Sequence, residues 1–331
     1  MTFSFADLCS GMGGFHIACV ANGGTCVQAC DIDDGARRLY ALNYGLEPEM
    51  DVLKLKPPTA TNATNATNAT NASNASSIDL VCFGNPCQPF STIGKRSGLA
   101  DKRGGRVFYA ICKYLKETGA KAFVMENVKG LAMHSDFKRM LRKLEKGGYV
   151  LSVQLLNAQN FGSPQHRERV FVVGRKIKVG DVNEPFDFSS ISKIKRHVTL
   201  ERILDKGQLD ADLLTQRFAK FNLTGSLPEP TKSGFRIRAQ FNSYTEKRLF
   251  STKGAVGTIL STHSPFIFDE DRKVERHMSV RELLRCQGFP TRFKWPEDLR
   301  TRRKALKYIG NAVHVGMVTA IVKAMCEQGM F

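Results

Sequence analysis

The chain has 331 residues, with 49 lysines and arginines against 31 aspartates and glutamates, and 42% of its residues are hydrophobic. This length fits a large domain with a smaller one attached, and the net charge of +18 favours a polyanionic partner. We find no signal peptide, no apolar run long enough to span a membrane, and no paired Cys-x-x-Cys clusters among the nine cysteines. We therefore expect no membrane association, no metal and a reducing intracellular compartment.

Short apolar runs alternate with helical patterns through the first half of the chain. The predicted strands are "FSFADL", "TCVQACDI", "IDLVCF", "AFVMEN", "VLSVQLLN" and "RVFVVG". The predicted helices are Gly14–Asn22, Asp34–Asn43, Arg106–Thr118 and Asp136–Lys146, with two more at Ser279–Cys286 and Asn311–Glu327. Such alternation with nearly continuous apolar strands predicts an α/β fold: a doubly wound, mostly parallel, Rossmann-like sheet.

The pattern breaks up in the middle of the chain and returns near its end. We predict a first domain over residues 1–175, a smaller inserted domain over 176–277 and a return to the first domain over 278–331. Within the first domain, Thr59–Ser77 repeats "TNA" with almost no large apolar residue. Such a segment buries too little surface to offset its ordering entropy, so we expect a mobile loop.

A strand, a glycine turn and a helix follow one another in "FADLCSGMGGFHIA". The spacing is not G-x-G-x-x-G, because His16 stands where that motif has its third glycine. Asp31 ends the next strand and is placed to accept from ribose hydroxyls, and Asp51 ends the next run and could meet an adenine amine. Together they predict a nucleoside-bearing cofactor without a pyrophosphate. The glycine turn alone is equally typical of a purely structural turn.

A cysteine between two prolines follows the strand "IDLVCF" in "GNPCQPFS". Cys87 is thus expected at the carboxyl edge of the sheet, where open α/β folds bind ligands. A buried structural thiol is the competing interpretation. Glu126 and Asn127 end the next strand, and a carboxylate there needs a partner. Arg167 and Arg169 are two residues apart in "QHRER", so we expect the thiol, the carboxylate and both guanidiniums at one edge.

These blocks resemble those of the cytosine-C5 DNA methyltransferases, over nearly the whole chain and in the order of that family. They are "DLCSGMGGF", "GNPCQPFS", "MENV", "QHRER", "RELLRCQGFP" and "IGNAV". The resemblance implies that Cys87 attacks cytosine C6, Glu126 binds N3 and the exocyclic amine, and Arg167 holds the O2 side. Arg169 belongs to the same set, and Asn127 would brace the loop. The segment between "QHRER" and "RELLRCQGFP" corresponds to the target-recognition domain of the family.

The resemblance also implies S-adenosylmethionine as the methyl donor. The residues that match the donor-binding blocks are Asp7, Cys9, Ser10, Gly11, Met12, Gly13, Gly14, Phe15, Asp31, Ile32, Asp51, Val52, Gly84, Pro86, Asn311, Ala312 and Val313. Ile32 stands where relatives often carry a larger side chain over the adenine.

The window Lys232–Lys253 mixes six basic residues and one acid with interleaved aromatic residues. This mixture is typical of contacts to nucleic-acid backbone and bases, although a solvated β-rich face explains it equally well without the family context. We expect a monomer that binds double-stranded DNA through Gln88, Ser91, Lys95, Arg96, Gln165, Arg236, Arg238, Tyr244, Lys247, Arg248 and Lys253.

Two alternatives remain open at this stage. A tRNA cytosine-C5 methyltransferase of the related branch would use the same thiol, but the "CFT" tripeptide typical of that branch is missing from the sequence. An inactive DNA-binding regulator would not need both Cys87 and Glu126. The sequence favours a DNA methyltransferase that acts at a short specific site.

Overall fold

The computed structural model describes residues 2–58, 78–86, 98–101, 104–177, 180, 184–194, 198–208, 213–214, 235–236, 249–299 and 301–331, with only the backbone at 235–236. The chain divides into two compact units. The first comprises Met1–Leu156, Glu168–Ser192 and Met317–Phe331, and the second comprises Asn157–Arg167 and Lys193–Gly316. The repeat at Thr59–Ser77, expected to be a mobile loop, lies outside the described residues.

A six-stranded sheet organises the first unit. Its strands are β1 (Phe3–Leu8), β2 (Gly24–Cys30), β3 (Leu80–Phe83), β4 (Ala122–Val128), β5 (Tyr149–Asn157) and β6 (Glu168–Lys176), in the order β2-β1-β3-β4-β6-β5. β1 pairs in parallel with β2 and β3, β3 pairs in parallel with β4, and β6 runs antiparallel to β4. The mostly parallel sheet predicted from the apolar runs is confirmed.

Helices follow the strands of the first unit, and the sequence predicts each of the following except the short one at Lys129–Ala132. They are α1 (Gly14–Val20), α2 (Asp34–Tyr44), α3 (Gly104–Thr118), the short α4 (Lys129–Ala132) and α5 (Phe137–Glu145). One core cluster joins the sheet residues Phe83 and Met125 to Phe108 of α3 and to Met140 and Leu144 of α5. α3 and α5 therefore share one core cluster with the sheet, and their opposite faces are left for solvent or a partner.

In the part of the second unit that the structure describes, there are a smaller sheet and two helices. Its strands are β7 (Phe235–Arg236), β8 (Leu249–Ser251), β9 (Phe266–Asp269) and β10 (Val274–His277), in the order β10-β9-β8-β7, and only the β8–β9 pair is parallel. The helices are α6 (Val280–Cys286) and α7 (Arg302–Asn311). Short 3₁₀ turns lie at Gly98–Ala100 and Phe188–Ser190 in the first unit, and at Ala158–Phe161, Leu200–Ile203 and Glu297–Leu299 in the second.

The unit boundaries differ from those expected from the sequence. The return to the first unit begins at Met317 and not at residue 278, so α6 and α7 belong to the second unit. A buried ion pair accounts for this: Arg276 of β10 binds both carboxylate oxygens of Glu282 in α6, at 2.8 and 2.9 Å. Arg276 Nε also donates to Asp269 at 2.9 Å. Because these charges lie in the interior, α6 stays with β10.

The last two helices also depart from the prediction. The helix expected at Asn311–Glu327 begins at Val315 as α8 (Val315–Glu327), and α7 before it was not predicted. Arg302–Glu327 contains an 18-residue window of mean hydropathy 1.4, apolar enough to cross a membrane by length and composition, and 61% of that window is buried. A core helix has the same properties, so this is weak evidence for a membrane span.

We expect Glu282→Ala to destabilise the second unit by about 3 to 5 kcal/mol, because it leaves the buried Arg276 without its bidentate partner. The measurement is urea unfolding followed by the fluorescence of Trp295, the one tryptophan of the chain, which lies in this unit. As a control, Glu297→Ala removes an exposed carboxylate of the same unit and should change the free energy of unfolding by less than about 0.5 kcal/mol. Equal losses in both variants would contradict a structural role of the Arg276–Glu282 pair.

Candidate active site

The glycine turn between β1 and α1 has three residues in the left-handed region. The φ angles of Cys9, Gly11 and Gly13 are 54°, 54° and 78°. A Cβ on Gly13 would lie 2.2 Å from the Tyr44 ring, whereas a Cβ on Gly11 would meet nothing within 4 Å. The turn is therefore packed on the side of Gly13 and open at Gly11, where a ligand can approach the backbone.

Asp31 ties this turn to the end of β2. Gly11 N–H donates to Asp31 Oδ2 at 2.8 Å, and Asp33 N–H donates to Oδ1 at 2.8 Å. Burial raises the pKa of the Asp31 carboxyl, and the two backbone donors oppose that shift. The carboxylate is thus held in one orientation at the carboxyl end of the sheet, as the sequence predicted.

Tyr44 supports the turn through hydrogen bonds to its backbone, a role that the sequence did not predict. Its hydroxyl donates to the carbonyl oxygens of Met12 at 2.8 Å and Gly13 at 3.2 Å. The His16 ring stacks on Tyr44 with centroids 4.0 Å apart, and His16 Nδ1 lies 2.7 Å from the Tyr40 hydroxyl. Burial lowers the pKa of His16 to about 4, so this imidazole is neutral at pH 7.

Four other expected donor residues lie in or next to this turn in the sequence. Asp7 is fully buried, and burial followed by the charge of Asp31 raises its pKa well above the usual range. Ser10 is buried and its N–H donates to Cys30 O at 3.0 Å. Gly14 and Phe15 are buried in α1.

Two cysteines lie beside Asp31. Desolvation, followed by the charge of Asp31, raises the pKa of Cys9 well above its usual range. The same two causes, in the same order, raise the pKa of Cys30 to about 12. Both side chains are therefore thiols at neutral pH.

An apolar side chain projects beside Asp31. Ile32 is 79% exposed, which is unusual for a large hydrophobic residue that directly follows a buried strand. Glu49 bridges to Cys30 and accepts from Asp31 N–H at 2.9 Å, bringing the following segment to the end of β2. In that segment Asp51 is half-buried and Val52 is buried. The two carboxylates and the exposed Ile32 fit a ribose and a flat base.

The predicted catalytic carboxylate lies at the end of β4 beside an arginine. Arg169 Nε is 3.1 Å from Glu126 Oε1, and the two side chains are only 11% and 10% exposed. Asn127 Nδ2 donates to Asn85 O at 3.0 Å and to Asn85 Oδ1 at 3.1 Å. A Cβ on Gly84 would lie 3.8 Å from Glu126 Oε2. The carboxylate therefore stands next to Gly84–Pro86, the segment that leads directly to Cys87.

Arg167 belongs to the second unit and has different partners from Arg169. Its buried guanidinium donates to the carbonyls of Ile259 at 3.3 Å, Gly310 at 3.2 Å and Ala312 at 2.7 Å. Arg167 thus holds the carboxyl end of α7; Asn311, the last residue of α7, is exposed, whereas Ala312 and Val313 after it are buried. Arg167 lies in the second unit and Arg169 in the first, and the expected convergence of both guanidiniums at one edge stays a prediction.

Gln165 was expected to contact DNA, yet its side chain is fully buried in the second unit. Its Oε1 accepts from Ile259 N–H at 3.0 Å and its Nε2 donates to Gln287 at 3.2 Å. The amide is therefore occupied within the second unit. Lys253 is exposed just after β8, where a DNA contact is sterically open.

Several expected site residues lie outside the described residues. They are Cys87, Gln88, Ser91, Lys95, Arg96, Arg238, Tyr244, Lys247 and Arg248, together with the side chain of Arg236. Eight cysteines are described and all are free thiols. In the described part of the chain, no group of three or more His, Cys, Asp or Glu residues is arranged to hold a metal ion.

Comparison with known proteins links this arrangement to one family. The profile of the C-5 cytosine-specific DNA methylase family matches residues 3–327. The type II methyltransferase M.DsaV of Dactylococcopsis salina is 31% identical over 97% of this chain and 85% of its own length. M.HpaII of Haemophilus parainfluenzae is 30% identical over 98% of this chain and 90% of its own length.

Solved structures share the fold. The Dnmt2 methyltransferase of S. pombe superposes with a TM-score of 0.72 at 21% identity, over 99% of this chain and 100% of that one. A putative DNA modification methyltransferase encoded in an E. coli prophage gives 0.70 at 20% identity, over 98% of this chain and 99% of that one.

We expect Tyr44→Phe to weaken the binding of S-adenosylmethionine about fivefold, because a hydrogen bond to the turn contributes about 1 kcal/mol. Titration calorimetry measures the dissociation constant, and kcat at saturating donor should stay near the wild-type value. Tyr109→Phe is the matched control, because it removes an exposed hydroxyl that bonds Arg139 on α5. If both variants bind the donor as tightly as the wild type, Tyr44 does not position the turn.

Proposed function

The chain belongs to the C-5 cytosine-specific DNA methylase family, and from that membership we propose that it methylates cytosine through a covalent bond between Cys87 and ring atom C6. It is a DNA (cytosine-5-)-methyltransferase, and its reaction depends on S-adenosylmethionine. We further propose that it acts as a monomer on a short specific sequence of double-stranded DNA, in a reducing intracellular compartment.

One observation carries the mechanism. The Glu126 carboxylate is paired with Arg169 at 3.1 Å and lies against Gly84–Pro86. Asn127, the next residue, is hydrogen-bonded to Asn85, two positions before Cys87. A buried acid beside the segment that delivers a thiol supports a site in which both groups act on one ring.

Cytosine C5 is a poor nucleophile, and attack of Cys87 on C6 makes it a better one. Its thiolate forms a bond to C6, and the electron pair of the C5–C6 double bond moves toward C5 and the ring nitrogens. Glu126 accepts from the exocyclic amine and, when its carboxyl group carries a proton, donates to N3, which stabilises the negative charge that develops on the ring. A carboxylate oxygen accepts more than one hydrogen bond, so the contact with Arg169 is compatible with binding the base. After C5 is methylated, a base removes the C5 proton, the double bond forms again and the Cys87 sulfur leaves.

The residues around Gly11 fit the methyl donor. Asp31 offers acceptors for ribose hydroxyls, the exposed Ile32 offers an apolar surface for the adenine, and Asp51 offers an acceptor for its amine. When bound, S-adenosylmethionine supplies the electrophilic methyl group. We infer that Arg167 organises Asn311–Val313 through the Ala312 carbonyl.

A cytosine inside a duplex cannot reach such a site. We therefore propose that the base is flipped out, at a cost of a few kcal/mol in lost stacking and pairing. The second unit, with its window of basic and aromatic residues, would hold the duplex and choose the sequence.

DNA that carries 5-fluorocytosine at the target should trap the enzyme. Fluorine cannot leave C5 as a proton does, so elimination stalls and the Cys87–C6 bond persists. We expect a protein–DNA adduct that resists denaturing electrophoresis and forms only when S-adenosylmethionine is present. Cys87→Ser should abolish it, and Glu126→Gln should slow its formation by about 100- to 1000-fold.

The control is Cys326→Ser on α8, which should form the adduct at the wild-type rate. Peptide mapping of the adduct should identify Cys87. An adduct that survives Cys87→Ser, or that maps to another cysteine, would refute the covalent mechanism.

Sequence choice should follow the second unit. Exchanging Thr199–Arg276 for the segment of a relative, while keeping Asp205, Asp269 and Arg276 because they hold α6, should change the methylated sequence. Donor affinity should remain within about twofold. Sequencing of methylated cytosines gives the result, and an unaltered target would show that recognition lies elsewhere.

A further inference from the structure

The outward faces of α3 and α5 carry a concentration of positive charge that the reaction does not use. Eight exposed basic side chains define what we call the α3–α5 face: Arg106, Lys113, Lys116, Lys138, Arg139, Arg142, Lys143 and Lys146. Three acids accompany them: Glu117, Asp136 and Glu145. None of these basic residues is among those assigned to donor binding, catalysis or target recognition.

The two helices lie side by side, so these charges form one surface. Arg139 Nη2 of α5 donates to the Tyr109 hydroxyl of α3 at 3.0 Å. Burial raises the pKa of the Cys112 thiol on α3 to about 12, and the charge of Lys143 on α5 is near enough to oppose that shift. The apolar sides of both helices are fixed in the same core cluster, which keeps the basic side chains directed outward.

Most of this charge is not neutralised within the protein. Lys113 lies 3.5 Å from Glu117, and Arg139 lies 3.8 Å from Asp136. Among the described residues, no carboxylate lies within 4.0 Å of Lys138, Arg142 or Lys143.

The arrangement costs helix stability. Lys138 and Arg142, and likewise Arg139 and Lys143, are like charges four positions apart, and such pairs destabilise a helix. Lys138 and Arg139 also stand in the first turn of α5, which has no acidic residue and where the helix dipole disfavours cations. A bound polyanion would relieve both the repulsion between these cations and their unfavourable interaction with the helix dipole, and this relief would favour binding.

The polyanion present in every turnover is DNA. α3 has 15 residues and is therefore about 22 Å long, roughly the length of six base pairs of duplex. We propose that the α3–α5 face binds the phosphate backbone of duplex DNA outside the target site, without regard to sequence. It would hold the enzyme on DNA while the target-recognition segment searches. The inference goes beyond the proposed function and requires only that the protein meets DNA.

The test compares two double variants that lose one arginine and one lysine each. Arg142→Gln/Lys143→Gln alters the face, whereas Arg38→Gln/Lys323→Gln alters exposed positions on α2 and α8 of the same unit. Binding to a 200-bp duplex of arbitrary sequence is measured from about 50 to 200 mM salt. If both side chains contact phosphates, the slope of the logarithm of the binding constant against the logarithm of salt concentration should be about 1.8 shallower for the first variant than for the wild type. The ratio of wild-type to variant affinity should therefore fall about tenfold over this range of salt. The second variant should match the wild type.

Other results would overturn the proposal. Equal shifts in both double variants would mean that only overall charge matters, and no shift in either would mean that the face does not touch DNA. Loss of affinity for a single-stranded RNA of equal length, with duplex binding unchanged, would assign the face to RNA. The thermal midpoint should not fall in either variant, and kcat at saturating DNA should be unchanged in both. Methyl transfer is scored separately, so a wild type that binds DNA without methylating it would refute the proposed function and not this surface.

Discussion

A nearly buried carboxylate needs a cation, and the reversed direction of β6 supplies it. In the antiparallel register Val128 faces Arg169, which brings the guanidinium to Glu126 two residues away on β4. Without that partner an ionised acid that is 8% exposed would cost several kcal/mol or take up a proton. The position of Glu126 beside Gly84–Pro86, and with it the proposed chemistry, depends on this one pair.

In the second unit, buried arginines hold separate segments of the chain together. Arg167 gathers three backbone carbonyls, and Arg276 joins Asp269 to Glu282. The planar guanidinium presents several donors in fixed directions, which a lysine ammonium cannot reproduce at such sites. Arg167 and Arg169, only two positions apart in the sequence, therefore bind groups of different units.

The six strands of the first unit and most helices were predictable to within two residues at each end, because each buries an apolar run with a clear period, whereas β7–β10 were not predicted. α7 was not, since its buried Ala305, Leu306 and Ile309 stand among four basic residues that mask the stripe. Asp31 and Glu126 were predictable from their place at strand ends. The contact of Tyr44 with Met12, 32 residues away, and the burial of Gln165 arise from tertiary packing that no local pattern records.

The raised pKa values of the cysteines near Asp31 affect how readily these sulfurs would react with a methyl donor. A sulfonium methyl donor is an alkylating agent, and thiolates are the protein groups that it attacks most readily. Cys9 and Cys30 lie at the turn assigned to that donor, yet desolvation and the nearby carboxylate keep both sulfurs protonated. Burial and the Asp31 carboxylate thus keep these two sulfurs as thiols, which are far poorer nucleophiles than thiolates, beside the place expected for an electrophilic methyl group.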